Sequence, residues 1–115
     1  ICLGHQCIIE AFKGKLILSP KIMHGKTSEI YHCQTYPFQN LPVPFSAMRY
    51  HSWIGNFENL PKELIPIAWT QKGELMGILH KTFPLIGIQF HPESVLTPAG
   101  TEILRQFLNI QNRRR

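Results

Sequence analysis

Apolar positions along this 115-residue chain fall into short blocks separated by Gly- and Pro-containing breaks. In the first block Ile8, Ala11 and Phe12 recur at helical spacing and Gly14 follows as a stop, which predicts a helix over 3–13. Lys15 to Leu18 predicts a short strand closed by Ser19-Pro20, the polar stretch 21–27 an exposed loop, and 28–32 another strand. Pro37, Pro42 and Pro44 punctuate a loop that leads into 45–50. Ile65 to Thr70 and Leu75 to His80 flank Gln71-Lys72-Gly73-Glu74, a hairpin signal. Leu85 to Phe90, apolar or Gly except at Gln89, predicts a buried strand. Thr97-Pro98 predicts the N-cap and first position of a closing helix whose apolar stripe is Ile103, Leu104, Phe107 and Leu108. Helices alternating with strands predict an α/β sheet domain with an antiparallel insertion.

Composition narrows this picture. With 43% apolar and 17% charged residues the chain can build a core, which argues against disorder. No apolar run reaches the ~18 residues of a membrane-spanning helix, and no signal-peptide pattern opens the chain. The net charge is +5, but Arg113, Arg114 and Arg115 supply three of those charges. Residues 111–115 therefore read as a solvated basic tail, and the nearly neutral body gives no nucleic-acid face. Cys2, Cys7 and Cys33 are an odd set at irregular spacing, which favours free thiols in a reducing compartment. Cys2, His5 and Cys7 lie close together, but no second cluster completes a four-ligand set, so no metal is expected.

The candidate chemistry lies at the two ends. The chain starts at Ile1 as though a strand ran straight into a helix, which suggests an N-terminally incomplete sequence. Cys2 would sit at that strand-to-helix turn, with its sulfur presented at the top of the sheet and its thiolate favoured by the helix N-terminus. Lowering a thiol pKa from ~8.5 by ~2 units would make thiolate the majority form at neutral pH. Gly4 suits the crowded turn, and the Leu3 N–H is placed to donate to a developing oxyanion. His91-Pro92-Glu93 follows the last predicted strand. Pro92 keeps His91 extended, so His91 and Glu93 can face the same way and the carboxylate can orient the imidazole. That imidazole could serve as base towards a thiol and acid towards a leaving amine. By residue type alone, Cys2 is also readable as a small buried thiol and His91 as a surface histidine beside a proline.

Cys2-Leu3-Gly4-His5-Gln6 together with Phe90-His91-Pro92-Glu93-Ser94 resembles the class I, triad-type glutamine amidotransferases. His24-Gly25-Lys26-Thr27-Ser28, Arg49-Tyr50-His51-Ser52 and Leu96-Thr97 are similar to the glutaminase subunits (component II) of anthranilate synthase and of aminodeoxychorismate synthase. The resemblance implies the C-terminal portion, residues 1–110, of a flavodoxin-like amidotransferase domain. It implies Cys2 as nucleophile towards glutamine, His91 as acid/base and Glu93 as its orienting carboxylate. Leu3 would supply an oxyanion N–H, Gln6 would help bind glutamine, and Ser52 and Trp53 would contact it through their backbone. Trp53 stands where the family usually has Leu, which alters the pocket wall. His24, Gly25 and Lys26 would face a partner, the chorismate-binding synthase subunit (component I), which receives the ammonia. No cofactor is implied, and neither nucleic acid nor membrane is an expected partner. The family's N-terminal half-sheet, with its Gly-rich oxyanion loop, falls outside this chain, so the piece alone is expected to be inactive and poorly stable. The expected compartment is cytoplasm or plastid stroma. A non-catalytic binding module of the same fold is the competing reading.

The remaining candidates have blander expectations. His5 would pack or hydrogen-bond beside the nucleophile; His32, His51 and His80 would be ordinary strand or loop histidines. Arg49 is left open between an interface and a structural cation.

Overall fold

Burial alternates along β2 and is nearly continuous along β4 and β5, so the sheet that carries the site has one edge half-exposed and the other enclosed. The computed structural model describes residues 1–109, apart from the side chain of Ile22. The proposed basic tail 111–115, with Arg113 to Arg115, lies outside them. The elements are α1 (Leu3–Ala11), β1 (Leu16–His32), β2 (Phe45–Gly55), a 3-10 turn (Phe57–Asn59), β3 (Leu64–Trp69), β4 (Leu75–His80), β5 (Ile86–Ile88) and α2 (Gly100–Leu108). The strand order is β2-β1-β3-β4-β5, antiparallel throughout. β1 serves two partners, pairing with β2 as far as Ile30 and with β3 at Tyr31 and His32. The outer edges also meet, because Met48 of β2 bridges His91 just beyond β5. The sheet thus curls over an apolar core that includes Ile30, Phe38, Phe45, Ile67, Met76 and Phe90. A second core of Ile9, Leu64, Leu75 and Ile78 seats α1 against the β3–β4 hairpin.

Several predicted elements appear where the pattern put them. The hairpin turns at residues 70–74, where Gly73 adopts φ +81°, a conformation that glycine takes without steric penalty. The last buried strand is centred on Ile86–Ile88, and Gln89 continues it by donating its N–H to Met76 O (2.9 Å). α1 ends at Ala11, and the chain reverses at Lys13 (φ +71°) ahead of the predicted stop. Its most buried residues are His5 and Ile9, while Ala11 is exposed.

Two expectations are corrected. Residues 21–27 are not an exposed loop, and Ser19-Pro20 does not close a strand; both belong to the continuous β1. Between Leu18 and Met23 the strand advances five residues against two of β2, and a second register shift falls between His24 and Lys26. Such bulges accommodate Pro20, which has no N–H for the ladder, and Gly25 at φ +73°. The strand therefore survives residues that locally read as breakers. Nor is Thr97 a helix cap: α2 starts at Gly100, Ala99 takes the N-cap position, and no side chain caps it. The Thr97 hydroxyl is committed elsewhere, as described below. Of the predicted stripe, Ile103 is buried and Leu104 half-buried, whereas Phe107 and Leu108 are exposed. Among the described residues, no helix is long and apolar enough to cross a membrane.

Candidate active site

Cys2 takes the N-cap position of α1. Its backbone N–H donates to Ile88 O (2.7 Å), which ties the turn to β5. Its φ of 51° with ψ of −103° is a conformation non-glycine residues rarely take, the kind of local strain found at functional turns. The thiol donates to Tyr50 O (3.8 Å) and accepts from Gln89 Nε2 (3.6 Å). Burial pushes the Cys2 thiol above its ordinary value, and the opposing pull of the Leu3 N–H and of Gln89 does not reverse this. The expected thiolate-favouring shift is therefore corrected: the helix N-terminus acts in the predicted direction, but desolvation outweighs it. Leu3 itself projects an exposed side chain and contributes through its backbone N–H.

His91 is held through its backbone and its ring. Its N–H donates to Met48 O (2.9 Å), its carbonyl accepts from the Thr97 hydroxyl (2.7 Å), and its Nδ1 lies 2.8 Å from Glu93 Oε2. The carboxylate can only accept, so Nδ1 carries a proton and Nε2 presents its lone pair when the ring is neutral. Nε2 has no hydrogen-bond partner among the described residues. The structure thus joins His91 to Glu93 and brings both to the end of β5 where Cys2 sits. The charge of Glu93 reaches the thiol and opposes its ionisation. A Cys2–His91 hydrogen bond is not formed; the S–H points to Tyr50 O instead. Loose nucleophile–base geometry is common in unliganded sites.

The other predicted binding residues converge beside this turn. Gln6 Nε2 donates to Trp53 O (2.9 Å) and to Gln89 Oε1 (3.3 Å). Ser52 lies opposite the first bulge of β1, between Trp53, paired with Leu18, and His51, paired with Met23, and has no Cα partner in the register. The Trp53 side chain is half-exposed. His24 pairs with Tyr50 across the strands and stacks on its ring at 4.7 Å, so the predicted partner-facing segment His24-Gly25-Lys26 adjoins the residue whose carbonyl holds Cys2. His5 is fully buried, and neither ring nitrogen finds a partner of acceptable geometry among the described residues. Burial lowers its pKa to about 3, so it packs as a neutral ring. Cys7 is exposed and stands apart from these contacts. Among the described residues, no three His, Cys or Glu side chains converge as a metal site would need.

Behind the site, the inward positions of β2 carry Arg49 and His51. Arg49 is buried and forms a bidentate pair with Glu74 (3.1 Å at both oxygens), donates to Ser28 Oγ (3.0 Å), and donates through Nε to His51 Nε2 (3.1 Å). The open question about Arg49 is thereby answered: it is a structural cation. Burial alone would raise the Glu74 carboxyl, but Arg49 and the hydroxyls of Thr70 and Ser19 hold it below its ordinary value. His51 is lowered to about 4, by burial first and by the Arg49 charge second.

Three contributors escaped the sequence reading. Gln89, fully buried, contacts both Cys2 and Gln6; a lone polar residue in an otherwise apolar strand was the available signal. Thr97 accepts from Met48 N (2.9 Å) while donating to His91 O, so one hydroxyl fastens the His91 segment to β2. Gly100 has no counterpart in local pattern: a Cβ there would lie 1.7 Å from Pro92 O, so only glycine lets α2 approach the His91-Pro92-Glu93 segment this closely.

The family model for glutamine amidotransferase class-I matches residues 1–110, a span that holds both Cys2 and the His91–Glu93 pair. The chain belongs to the class-I glutamine amidotransferase family. It is 52% identical over 113 residues to anthranilate synthase component 2 of Cyanophora paradoxa, covering 97% of this chain and 60% of that protein. It is 43% identical over 109 residues to aminodeoxychorismate synthase component 2 of Escherichia coli (strain K12), covering 95% and 58% respectively. The chain thus spans about three-fifths of the length of these relatives. Among solved structures it is similar to a protein described as a GMP synthase subunit from Thermoplasma acidophilum (TM-score 0.88, 26% identity, 97% of this chain and 55% of that one).

Proposed function

We propose that this chain carries the reacting residues of a glutaminase subunit of anthranilate synthase. Cys2 attacks the side-chain amide carbon of glutamine as its S–H proton passes to His91 Nε2. The oxyanion that forms is met by the Leu3 N–H. His91, held by Glu93, returns the proton to the leaving nitrogen; the C–N bond breaks, ammonia departs, and a γ-glutamyl thioester remains on Cys2. Water, deprotonated by His91, cleaves the thioester and releases glutamate. The balance is glutamine and water in, glutamate and ammonia out. Gln6 and the backbone of Ser52 and Trp53 hold the substrate, and the His24-Gly25-Lys26 segment faces a chorismate-binding synthase subunit that takes the ammonia for tryptophan biosynthesis. No cofactor takes part in this half-reaction, and a soluble, reducing compartment such as cytoplasm or plastid stroma suits the free thiol.

The observation that most supports this reading is the joint delivery of Cys2 and the His91–Glu93 pair to one end of β5, Cys2 through its bond to Ile88 and His91 as the strand's continuation. Because the resting thiol is protonated and turned to Tyr50 O, catalysis requires the sulfur to exchange that acceptor for His91 Nε2. The identity to anthranilate synthase component 2 favours the tryptophan branch; the likeness to the E. coli aminodeoxychorismate protein supports the folate branch as the second reading. Supplying the native protein and its synthase partner with glutamine and chorismate tests both. Ortho-aminobenzoate is the expected product, para-aminobenzoate would transfer the protein to the second branch, and product from ammonia but not from glutamine would overturn the glutaminase reading.

A further inference from the structure

His51 occupies a buried, inward position of β2, and both of its ring nitrogens are engaged. Nδ1 lies 3.0 Å from Trp53 O, and Nε2 lies 3.1 Å from Arg49 Nε. Each contact alone dictates the same tautomer. A carbonyl oxygen only accepts, so Nδ1 must carry the proton; an arginine Nε–H only donates, so Nε2 must offer its lone pair. Arg49 cannot drift from this role, because its two terminal nitrogens are clamped by Glu74 and Ser28. Glu74 is clamped in turn by Ser19 of the first bulge and Thr70 of the hairpin turn. The oxygen that His51 grips, Trp53 O, also receives Gln6 Nε2, and Gln6 passes on to Gln89, which touches the Cys2 sulfur.

We propose that His51 is a positioning residue: braced by the Arg49–Glu74 pair, it sets the orientation of the Trp53 carbonyl and so of Gln6 and the Ser52–Trp53 backbone where glutamine binds. The inference rests on the reading that this backbone and Gln6 form the glutamine site. The two nitrogens of His51 have separable duties. His51→Asn keeps an N–H near the Nδ1 position and loses the acceptor for Arg49; His51→Gln keeps an acceptor near Nε2 and loses the donor to Trp53 O.

The native protein with its synthase partner is the material for the test. His51→Gln is expected to raise KM for glutamine roughly tenfold, the size of one lost buried hydrogen bond, with kcat within about twofold. His51→Asn is expected to hold KM within about threefold while lowering the melting temperature, because the Arg49 donor is then left unpaired. Ammonia-driven synthesis by the partner should be unchanged in both. Equal KM changes in the two variants, or a wild-type KM in His51→Gln, would overturn the proposal. An independent readout is the imidazole ¹⁵N spectrum of the wild-type protein: an Nδ1–H tautomer at His51 is expected, and an Nε2–H tautomer contradicts the relay. A Cys2→Ser control that still hydrolyses glutamine would instead overturn the functional reading, and the tautomer measurement would stand apart from that failure.

Discussion

Two contacts between a basic side chain and a carboxylate are similar in length and opposite in character. His91 and Glu93 meet at 2.8 Å, two residues apart in sequence, with side chains 22% and 59% exposed. Arg49 of β2 and Glu74 of the turn between β3 and β4 meet at 3.1 Å, with side chains 3% and 10% exposed. The first needs only an extended backbone and leaves one imidazole nitrogen open for chemistry. The second has four groups donating to its carboxylate and no comparable opening. On the proposed function the chemistry falls to the local, water-accessible pair, while the buried pair ties β2 to the turn between β3 and β4.

That contrast can be broken most severely at the buried pair. Glu74→Gln leaves the Arg49 charge buried without its counter-ion and is expected to destabilise the native protein by about 3–5 kcal/mol in urea unfolding. Replacing both members with apolar residues should be milder than this single change. Glu93→Gln, by contrast, should change stability by under ~1 kcal/mol, as an exposed pair does, while lowering glutamine turnover about 10²-fold or more.

Acid sharpens the same comparison. The ordinary histidine value is 6.5, and the folded values are about 4 for His51 and about 3 for His5. Between those limits the unfolded chain binds protons that the folded chain refuses, so stability is full above pH 6.5 and declines as pH falls towards 4. For His51 alone the loss is on the order of 3 kcal/mol. The Glu74 carboxyl, held below its ordinary value, adds a further loss as it takes up its proton at still lower pH. Urea midpoints measured from pH 7 to 4 should fall steadily, and His51→Gln should flatten the slope. Smaller again is Thr97→Val, which removes the hydroxyl between Met48 N and His91 O. It should destabilise by about 1–3 kcal/mol and lower kcat more than it raises KM, because it loosens the base and not the substrate backbone.

Much of this arrangement is legible in the sequence where the physics is local. The hairpin around Gly73, the buried strand near Ile88 and the pairing of His91 with Glu93 depend on residues a few positions apart, and they appear as expected. What the sequence hides is decided at a distance. β1 runs through Pro20 and Gly25 because bulges opposite β2 absorb them. Thr97 gives up a helix cap because His91 and Met48 offer its hydroxyl two better-placed partners. Arg49 becomes structural only because Glu74, on the far side of the sheet order, turns towards it. The Cys2 thiol is raised because enclosure by β2 and β5 outweighs the pull of the helix start, a balance that no local pattern reports.

The proposed glutaminase chemistry requires Cys2 to become acylated with help from His91. The most direct measurement is mass spectrometry of the native protein, with its partner, acid-quenched during glutamine turnover. The account predicts a γ-glutamyl adduct on the peptide that contains Cys2, accumulating to a lower level when His91 is replaced by Asn and absent in Cys2→Ser. An adduct on another residue, or wild-type glutamine hydrolysis by Cys2→Ser, would contradict it.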